Sequence, residues 1–328
     1  MNRVVRHDRN APSNRTQREP REAVVIVNPV SGDHDPPPVD DIEQQLIGHG
    51  ITPHVVVTDT GRDAGDIARQ AVANHVPLVI VAGGDGTVSQ AGRELVHKEC
   101  ALGIIPLGTF NNIARGLSVP QEIDSACAVI GRGRLRAIDV GVVNASHYFF
   151  EAAGVGLEAE LFPVGEEIKS GRWLRLFDAL RLAFRYRARH VTIEFDRTVA
   201  AARAQQLARR PAGRRARTKR YIRRKALMTN IANGPYYGSN FAVAPARLDD
   251  GVLTISVYHD FNKLDLLRHF RSIRGGRRRY SPRIEQYRAA SVRITSSGAL
   301  PVHADGDPVG TVPATFSVVR AALRVCVP

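Results

Sequence analysis

The chain has 328 residues, of which 43% are hydrophobic, enough for two packed domains and too many for a wholly disordered chain. Its formal net charge is +14, and only five of its 46 basic residues are lysines; such an excess points to an anionic partner without choosing between nucleic acid, an acidic membrane surface and a phosphorylated ligand. No apolar run approaches the ~20 residues needed to cross a bilayer, and the three cysteines, Cys100, Cys127 and Cys326, are spaced for neither a disulfide framework nor a metal site.

Residues 1–22 predict a flexible basic tail. Met1–Pro20 lacks the apolar segment of a secretory signal, so a cytoplasmic location is expected. From Ala23 to Val119 short β-branched runs alternate with helical patterns. Strands are expected at Ala23–Val27, His54–Thr58, Leu78–Ala82 and Leu102–Pro106, each apolar and short, as buried parallel strands are. Between them Ala64, Ile67, Ala68, Ala71 and Val72 mark one face of a helix. Val88, Ala91, Leu95 and Val96 mark another, and Val39, Ile42 and Leu46 a weaker one. This order predicts a doubly wound α/β domain over residues 23–137, with ligands bound beyond the carboxyl ends of its strands.

Residues 138–328 predict a β-rich, sandwich-like second domain whose chain end is free to return to the first. Its expected strands are Ile138–Asn144, Tyr148–Ala153, Val191–Phe195, Ala226–Ala232, Val252–Tyr258, Ser291–Thr295 and Thr315–Val319. A helix near Arg172–Arg189 carries Trp173, Leu176, Phe177, Leu180 and Phe184 on one face, with arginines interleaved. It reads either as a surface helix packed on the core or as an interfacial helix on anionic lipid. Residues 197–225 hold twelve Arg or Lys and no Asp or Glu, which predicts a mobile arm. Either it is solvated, or it is drawn to an acidic membrane at roughly 1 kcal/mol per basic residue.

The chemistry concentrates at Gly83-Gly84-Asp85-Gly86-Thr87, between the Leu78–Ala82 strand and the helix through Val88. Glycines there let the backbone approach a ligand closely, and the helix start offers unpaired N–H groups and a positive dipole end to phosphate. Asp85 is placed to hold Mg²⁺ beside the phosphates; the plainer alternative is a turn in which Asp85 caps the helix. No G-x-x-x-x-G-K-[ST], H-R-D or D-F-G occurs, which sets aside P-loop proteins and protein kinases. Gly154-Val155-Gly156-Leu157-Glu158-Ala159 fits a dinucleotide fingerprint by spacing, but lies outside any βαβ unit and reads instead as a tight turn against the interdomain cleft.

Five segments in order resemble the diacylglycerol kinase catalytic-domain family, which includes bacterial lipid kinases and is related to sphingosine and ceramide kinases. They are Val27-Asn28-Pro29 with Ser31-Gly32; Thr58 with Asp63-Ala64; Pro106–Asn112 with Ala114-Arg115; Leu248–Leu253; and Asp305-Gly306-Asp307, and Gly83–Thr87 itself looks like the family's signature. The resemblance implies that Asn28, Thr58, Gly83, Gly84, Asp85, Gly86, Thr87, Val88, Ser89 and Thr109 line an ATP site. It also implies that Asp250, with the carbonyls of Arg247 and Val252, holds a structural Mg²⁺, and that Asp307 is the general base, with Asp85 its catalytic companion across the cleft. Two positions depart from the family: Asp307 stands where Glu is usual, and Asn112 where many relatives have Asp. The expected activity is ATP-dependent phosphorylation of a hydroxyl of diacylglycerol or a related lipid by an enzyme resting on the inner face of the membrane. The alternatives are an NAD kinase relative and a weakened nucleotide- or membrane-binding regulator. The expected partners are the lipid substrate and an anionic membrane surface; no nucleic acid is expected, since no RNA-binding motif or zinc spacing accompanies the charge. A homodimer is compatible with the sequence, which does not fix the oligomeric state.

Overall fold

The computed structural model describes residues 21–32, 37–59, 63–161, 181–182, 185–196, 200–201, 221–237, 241–242, 246–260, 265 and 283–328. Four parallel strands, β1 (Arg21–Val27), β2 (Ile51–Val57), β3 (Leu78–Gly83) and β4 (Ala101–Pro106), lie in the order β2-β1-β3-β4. Every residue of β3 and β4 is buried, the mark of strands covered on both faces. Helices α1 (Val39–Gly48) and α5 (Ile123–Arg132) pack on one another, as do α2 (Ala64–Ala73) and α3 (Asp85–Leu95). α2 begins at Asp63, whose side chain accepts the Asp66 amide at 2.9 Å, and buries Ala64, Ile67, Ala68 and Ala71. The short α4 (Asn112–Gly116) and α5 are additions to the helices expected from periodicity.

The rest of the chain forms β5 (Leu135–Val143), β6 (His147–Phe149), β7 (Ala152–Gly156), β8 (Arg189–Phe195), β9 (Ala200–Ala201), β10 (Tyr221–Ala232), β11 (Tyr236–Tyr237) and β12 (Phe241–Ala242). It continues with β13 (Leu253–His259), β14 (Ile284–Ala289), β15 (Ser291–Ser296), β16 (Pro301–Ala304), β17 (Asp307–Thr311) and β18 (Ala314–Cys326). These strands enclose a second core that includes Phe149, Ile193, Ile255, Ile294 and Phe316. β18 joins the two halves. It pairs antiparallel with β15 and β5, and at Val325 runs parallel to Leu102 of β4, so that Val325, Cys326 and Val327 belong to the first core. β5 straddles the expected boundary at 137/138: Ile138 and Val140 lie in the first core, Val143 in the second.

Several expectations are revised. Tyr148–Ala153 is two strands, broken at Phe150–Glu151 because Asp305 draws off the amides there (below). Gly154 and Gly156 lie within β7 rather than in a tight turn. Arg189 opens β8 and so ends the expected helix early; most of that helix falls outside the described residues. Of the expected arm, residues 221–225 are the first part of β10, hydrogen-bonded to β8, and 202–220 lie outside the described residues.

Candidate active site

The carboxyl ends of β1, β3 and β4 converge on the glycine turn. Gly84 is the extended N-cap of α3, and the first-turn amides of that helix have no acceptor within the helix. Asn28, just past β1, donates from Nδ2 to Thr87 Oγ1 at 2.8 Å, and the Gly84 amide donates to Ser31 Oγ at 3.3 Å. The loop after β4 presses against the turn from the other side: a Cβ on Gly108 would lie 2.5 Å from Gly84 Cα, so this approach needs glycine at 108. A Cβ on Gly86, by contrast, would meet nothing within 4 Å. Thr58 lies just past β2 and Thr109 is exposed in the loop after β4, both at the same end of the sheet.

Three residues expected at the nucleotide have their groups engaged within the protein. Val88 points into the first core, with its amide bonded to Gly84 O. Ser89 is buried and donates to Asp305 of the second domain at 2.8 Å. Both oxygens of Asp85 accept backbone amides, from Asn112 at 2.9 Å and Ile113 at 3.0 Å, so its carboxylate caps α4 and ties the two loops together. Asp85 thus caps a helix, α4 rather than the α3 that follows the turn.

One turn beyond Ser89, Arg93 donates to Asp307 Oδ2 at 2.7 Å and to the carbonyl of Tyr148 at 3.1 Å. The hairpin turn between β16 and β17 thus sits on one face of α3, held at Asp305 and Asp307. The two carboxylates differ sharply. Asp305 is buried and accepts from Ser89 and from the amides of Phe150 (2.8 Å), Glu151 (2.9 Å) and Ala152 (3.2 Å). Burial pushes its carboxyl up, against the pull of those donors and of Arg93. Asp307 has 63% of its side chain exposed. Asp305 is a structural tether; Asp307 is the carboxylate of the turn that a substrate can reach.

Sequence reasoning gave no role to Glu151, yet its Oε2 accepts from Asn112 Nδ2 at 2.8 Å. Asn112 therefore links Asp85, through its amide, to Glu151, through its side chain. With Asp at 112 two carboxylates would face one another; with Asn the pair carries a single charge. Mg²⁺ in kinase sites is typically held by one or two carboxylates together with substrate phosphates, and Glu151 beside the Asp85-capped loop fits such an ion. The second implied ion does not fit. Arg288 donates to Asp250 Oδ2, Val252 donates its amide to Asp250 Oδ1 at 3.2 Å, and the exposed Arg247 pairs with Asp249 at 2.9 Å. Among the described residues no group of three or more His, Cys, Asp or Glu side chains is arranged to hold a metal.

Behind the 305–307 turn lies a buried polar cluster. His303 Nδ1 accepts the Gly306 amide at 3.2 Å, which puts its proton on Nε2, 3.2 Å from Tyr237 Oη. Tyr237 in turn hydrogen-bonds Glu158, which also accepts from Asn230 Nδ2 at 3.0 Å. Burial raises Glu158 to about 7 and lowers His303 to about 3. Gly154 belongs here: a Cβ would lie 2.3 Å from His303 Nε2 and 2.7 Å from Glu158 Oε2. Its glycine makes room for the cluster rather than for a dinucleotide.

The α/β domain carries a glycine turn at the start of α3, and the β-rich domain brings two carboxylates to the same helix. Residues 22–143 match the diacylglycerol kinase catalytic domain, and residues 167–327 match the YegS C-terminal NAD kinase beta sandwich-like domain. The chain belongs to the diacylglycerol kinase catalytic-domain family, a family of phosphotransferases. It is 25% identical over 313 residues to a diacylglycerol kinase of Staphylococcus saprophyticus, covering 94% of this chain and 96% of that one. With a diacylglycerol kinase of Staphylococcus aureus it shares 25% identity over 314 residues, covering 94% and 93%. The fold is also that of a diacylglycerol kinase crystal structure from Bacillus anthracis, with a TM-score of 0.68 at 21% identity over 94% of this chain and 97% of that one.

Proposed function

We propose that this chain transfers the γ-phosphoryl group of ATP to a hydroxyl of diacylglycerol or a related lipid at a membrane surface. The observation that carries this reading is the double grip of α3 on the second domain. The helix whose first turn suits phosphate also holds, through Ser89 and Arg93, the turn bearing the exposed Asp307. Phosphoryl transfer asks mainly for positioning and charge neutralisation, and this arrangement supplies both.

In the proposed reaction the first-turn amides of α3 receive the phosphates, and Asn28 and Gly108 keep the turn in shape. The lipid hydroxyl oxygen attacks the γ-phosphorus as the bond to the bridging β–γ oxygen breaks. The hydroxyl proton passes to Asp307, and ADP leaves. Mg²⁺ held near Glu151 would neutralise charge on the phosphates. Arg93 fixes Asp307 through one oxygen and leaves the other for the proton. Asp307, one methylene shorter than the family's usual Glu, is matched here to a partner that reaches out to meet it.

The net charge of +14 supports work at an anionic surface, and among the described residues no helix is long and apolar enough to cross a membrane. The test is transfer of labelled phosphate from ATP into chloroform-extractable product, across diacylglycerol, sphingoid and other glycerolipid acceptors in anionic vesicles. Product with wild type and none with Asp307→Asn is expected. No product from any lipid with Mg²⁺ present, or NADP formed from NAD, overturns the proposal.

A further inference from the structure

We propose that Arg288 takes the place of a divalent cation at Asp250, so that the second domain folds and stays folded without a structural metal. The loop in question, residues 247–252, leads into β13. Its Asp250 has both carboxylate oxygens engaged from within the chain, Oδ1 by the Val252 amide at 3.2 Å and Oδ2 by the Arg288 guanidinium. The sheet itself delivers that guanidinium. β13 and β14 are antiparallel with Arg288 paired to Thr254, four residues beyond Asp250, so the side chain is held at the mouth of the loop. Asp250 keeps 19% of its side chain exposed and Arg288 32%, so the contact is largely withdrawn from water.

The surrounding charge points the same way. Asp249 is occupied by Arg247, and the charge of Arg136 also acts on it. Arg320 lies against Gly251, where a Cβ would come 2.4 Å from its Nε. Asp139 is spent on backbone, accepting the amides of Gly251 at 2.6 Å and Ala321 at 2.8 Å. Four guanidinium groups thus stand against three carboxylates, and the surroundings of the loop are net positive before any metal arrives. Mg²⁺ demands near-octahedral oxygen ligands at about 2.0–2.1 Å, and an ion at Asp250 would have to share a carboxylate already neutralised by the Arg288 guanidinium, against that cation's repulsion. Arginine stays charged at every accessible pH, so the carboxylate is never vacated by deprotonation of its partner. What a bound ion would do here, joining the loop to the sheet beside it through one carboxylate, the guanidinium does permanently.

The experiment uses the full chain free of nucleotide. Its metal content is measured after gel filtration, its Tm is compared in EDTA and in Mg²⁺, and Mn²⁺ binding is followed by electron paramagnetic resonance. Wild type is expected to carry far less than one ion per chain, to show the same Tm in both buffers, and to bind no Mn²⁺ that Asp250→Asn abolishes. Arg288→Lys keeps the charge and is expected to remain indifferent to EDTA. Arg288→Gln opens the carboxylate, so its Tm should fall in EDTA and recover at least partly with Mg²⁺. Stoichiometric metal in wild type, an EDTA-induced loss of its Tm, or Mn²⁺ binding lost in Asp250→Asn would overturn the proposal. The wild-type arms decide the question even if Arg288→Gln does not fold. None of these readouts requires kinase activity, so they stand or fall separately from the lipid-kinase reading.

Discussion

Arg93 and Asp307 form an ion pair of 2.7 Å across the two domains, and Arg93 belongs to the same helix that opens with the glycine turn. Eight residues separate Asp85 from Arg93, about 12 Å along the helix axis, and helical side chains lean back toward the N-terminus. The guanidinium therefore draws Asp307 toward the glycine-turn end of α3. Asp307→Asn is expected to lower kcat about 100- to 10,000-fold with little change in KM for ATP, the range for loss of a general base. Arg93→Ala should lower kcat at least about tenfold, and the double variant should be no worse than Asp307→Asn alone, because the two act as a unit. Steady-state phosphate transfer measures all three.

Ser89 and Asp305 form the deeper tether. Ser89→Ala leaves the carboxylate its three amide donors, so a loss of about 1 kcal/mol is expected in denaturant titration. Asp305→Asn sets an amide NH₂ against a nest of N–H donors and should cost about 3 kcal/mol or more. Equal effects from both variants would mean that the amide nest contributes little.

The two glycine loops separate fold from binding. Gly108→Ala drives a methyl group into the Gly84 backbone and should cost about 1–3 kcal/mol of stability as well as ATP affinity. Gly86→Ala faces open space; its Tm should hold while ATP affinity falls at least about tenfold, since the added methyl stands where phosphate must approach the amides. Calorimetry of both variants with ATP checks the contrast.

Asn112→Asp places a second carboxylate against Glu151. Without metal the like charges repel and Tm should drop. Mg²⁺ with ATP should restore it, and the Mg²⁺ concentration for half-maximal activity should fall. If Tm is unchanged in EDTA, the two side chains do not meet as described.

Glu158 links pH to stability. Its folded value of about 7 lies above the usual 4.5, so the native state favours the protonated form. That contribution is complete below about pH 4.5 and is lost as pH rises through about 7, by up to about 3 kcal/mol. The stability of wild type relative to Glu158→Gln should fall between about pH 5 and pH 8 in denaturant midpoints taken at several pH values. Buried His303, lowered to about 3, works the other way, its contribution growing as pH rises toward about 6.5, so the difference between wild type and Glu158→Gln is the quantity that decides; a difference that stays constant over this range would contradict the assigned environment.

Much of the α/β half is legible in the sequence because its strands are fully buried apolar runs and its helices carry clean i, i+3, i+4 faces. The glycine turn announces itself for the same reason: glycine where a backbone must come close. What stays hidden is what depends on distant partners. Whether Asp85 faces phosphate or caps α4 is decided by the amides of Asn112 and Ile113, 27 and 28 residues away. The importance of Glu151 rests on Asn112, and that of Ser89 on a residue 216 positions later. The strand expected at Tyr148–Ala153 breaks because a remote carboxylate, not any local breaker, takes its amides. No motif marks Arg288, since an arginine in a strand becomes a counter-ion only once the register is set.

The pairing of β18 with β4 and β5 bears on how the chain is made. The parallel sheet lacks its outer neighbour at β4, and its core lacks Leu323, Val325 and Cys326, until β18 has been synthesised. A nascent chain stopped anywhere before β18 therefore presents an uncovered edge at β4, a surface prone to pair with the wrong strand. Commitment of the α/β half to its native state therefore waits for β18, and deleting residues 314–326 should impair that half although its strands lie about two hundred residues upstream.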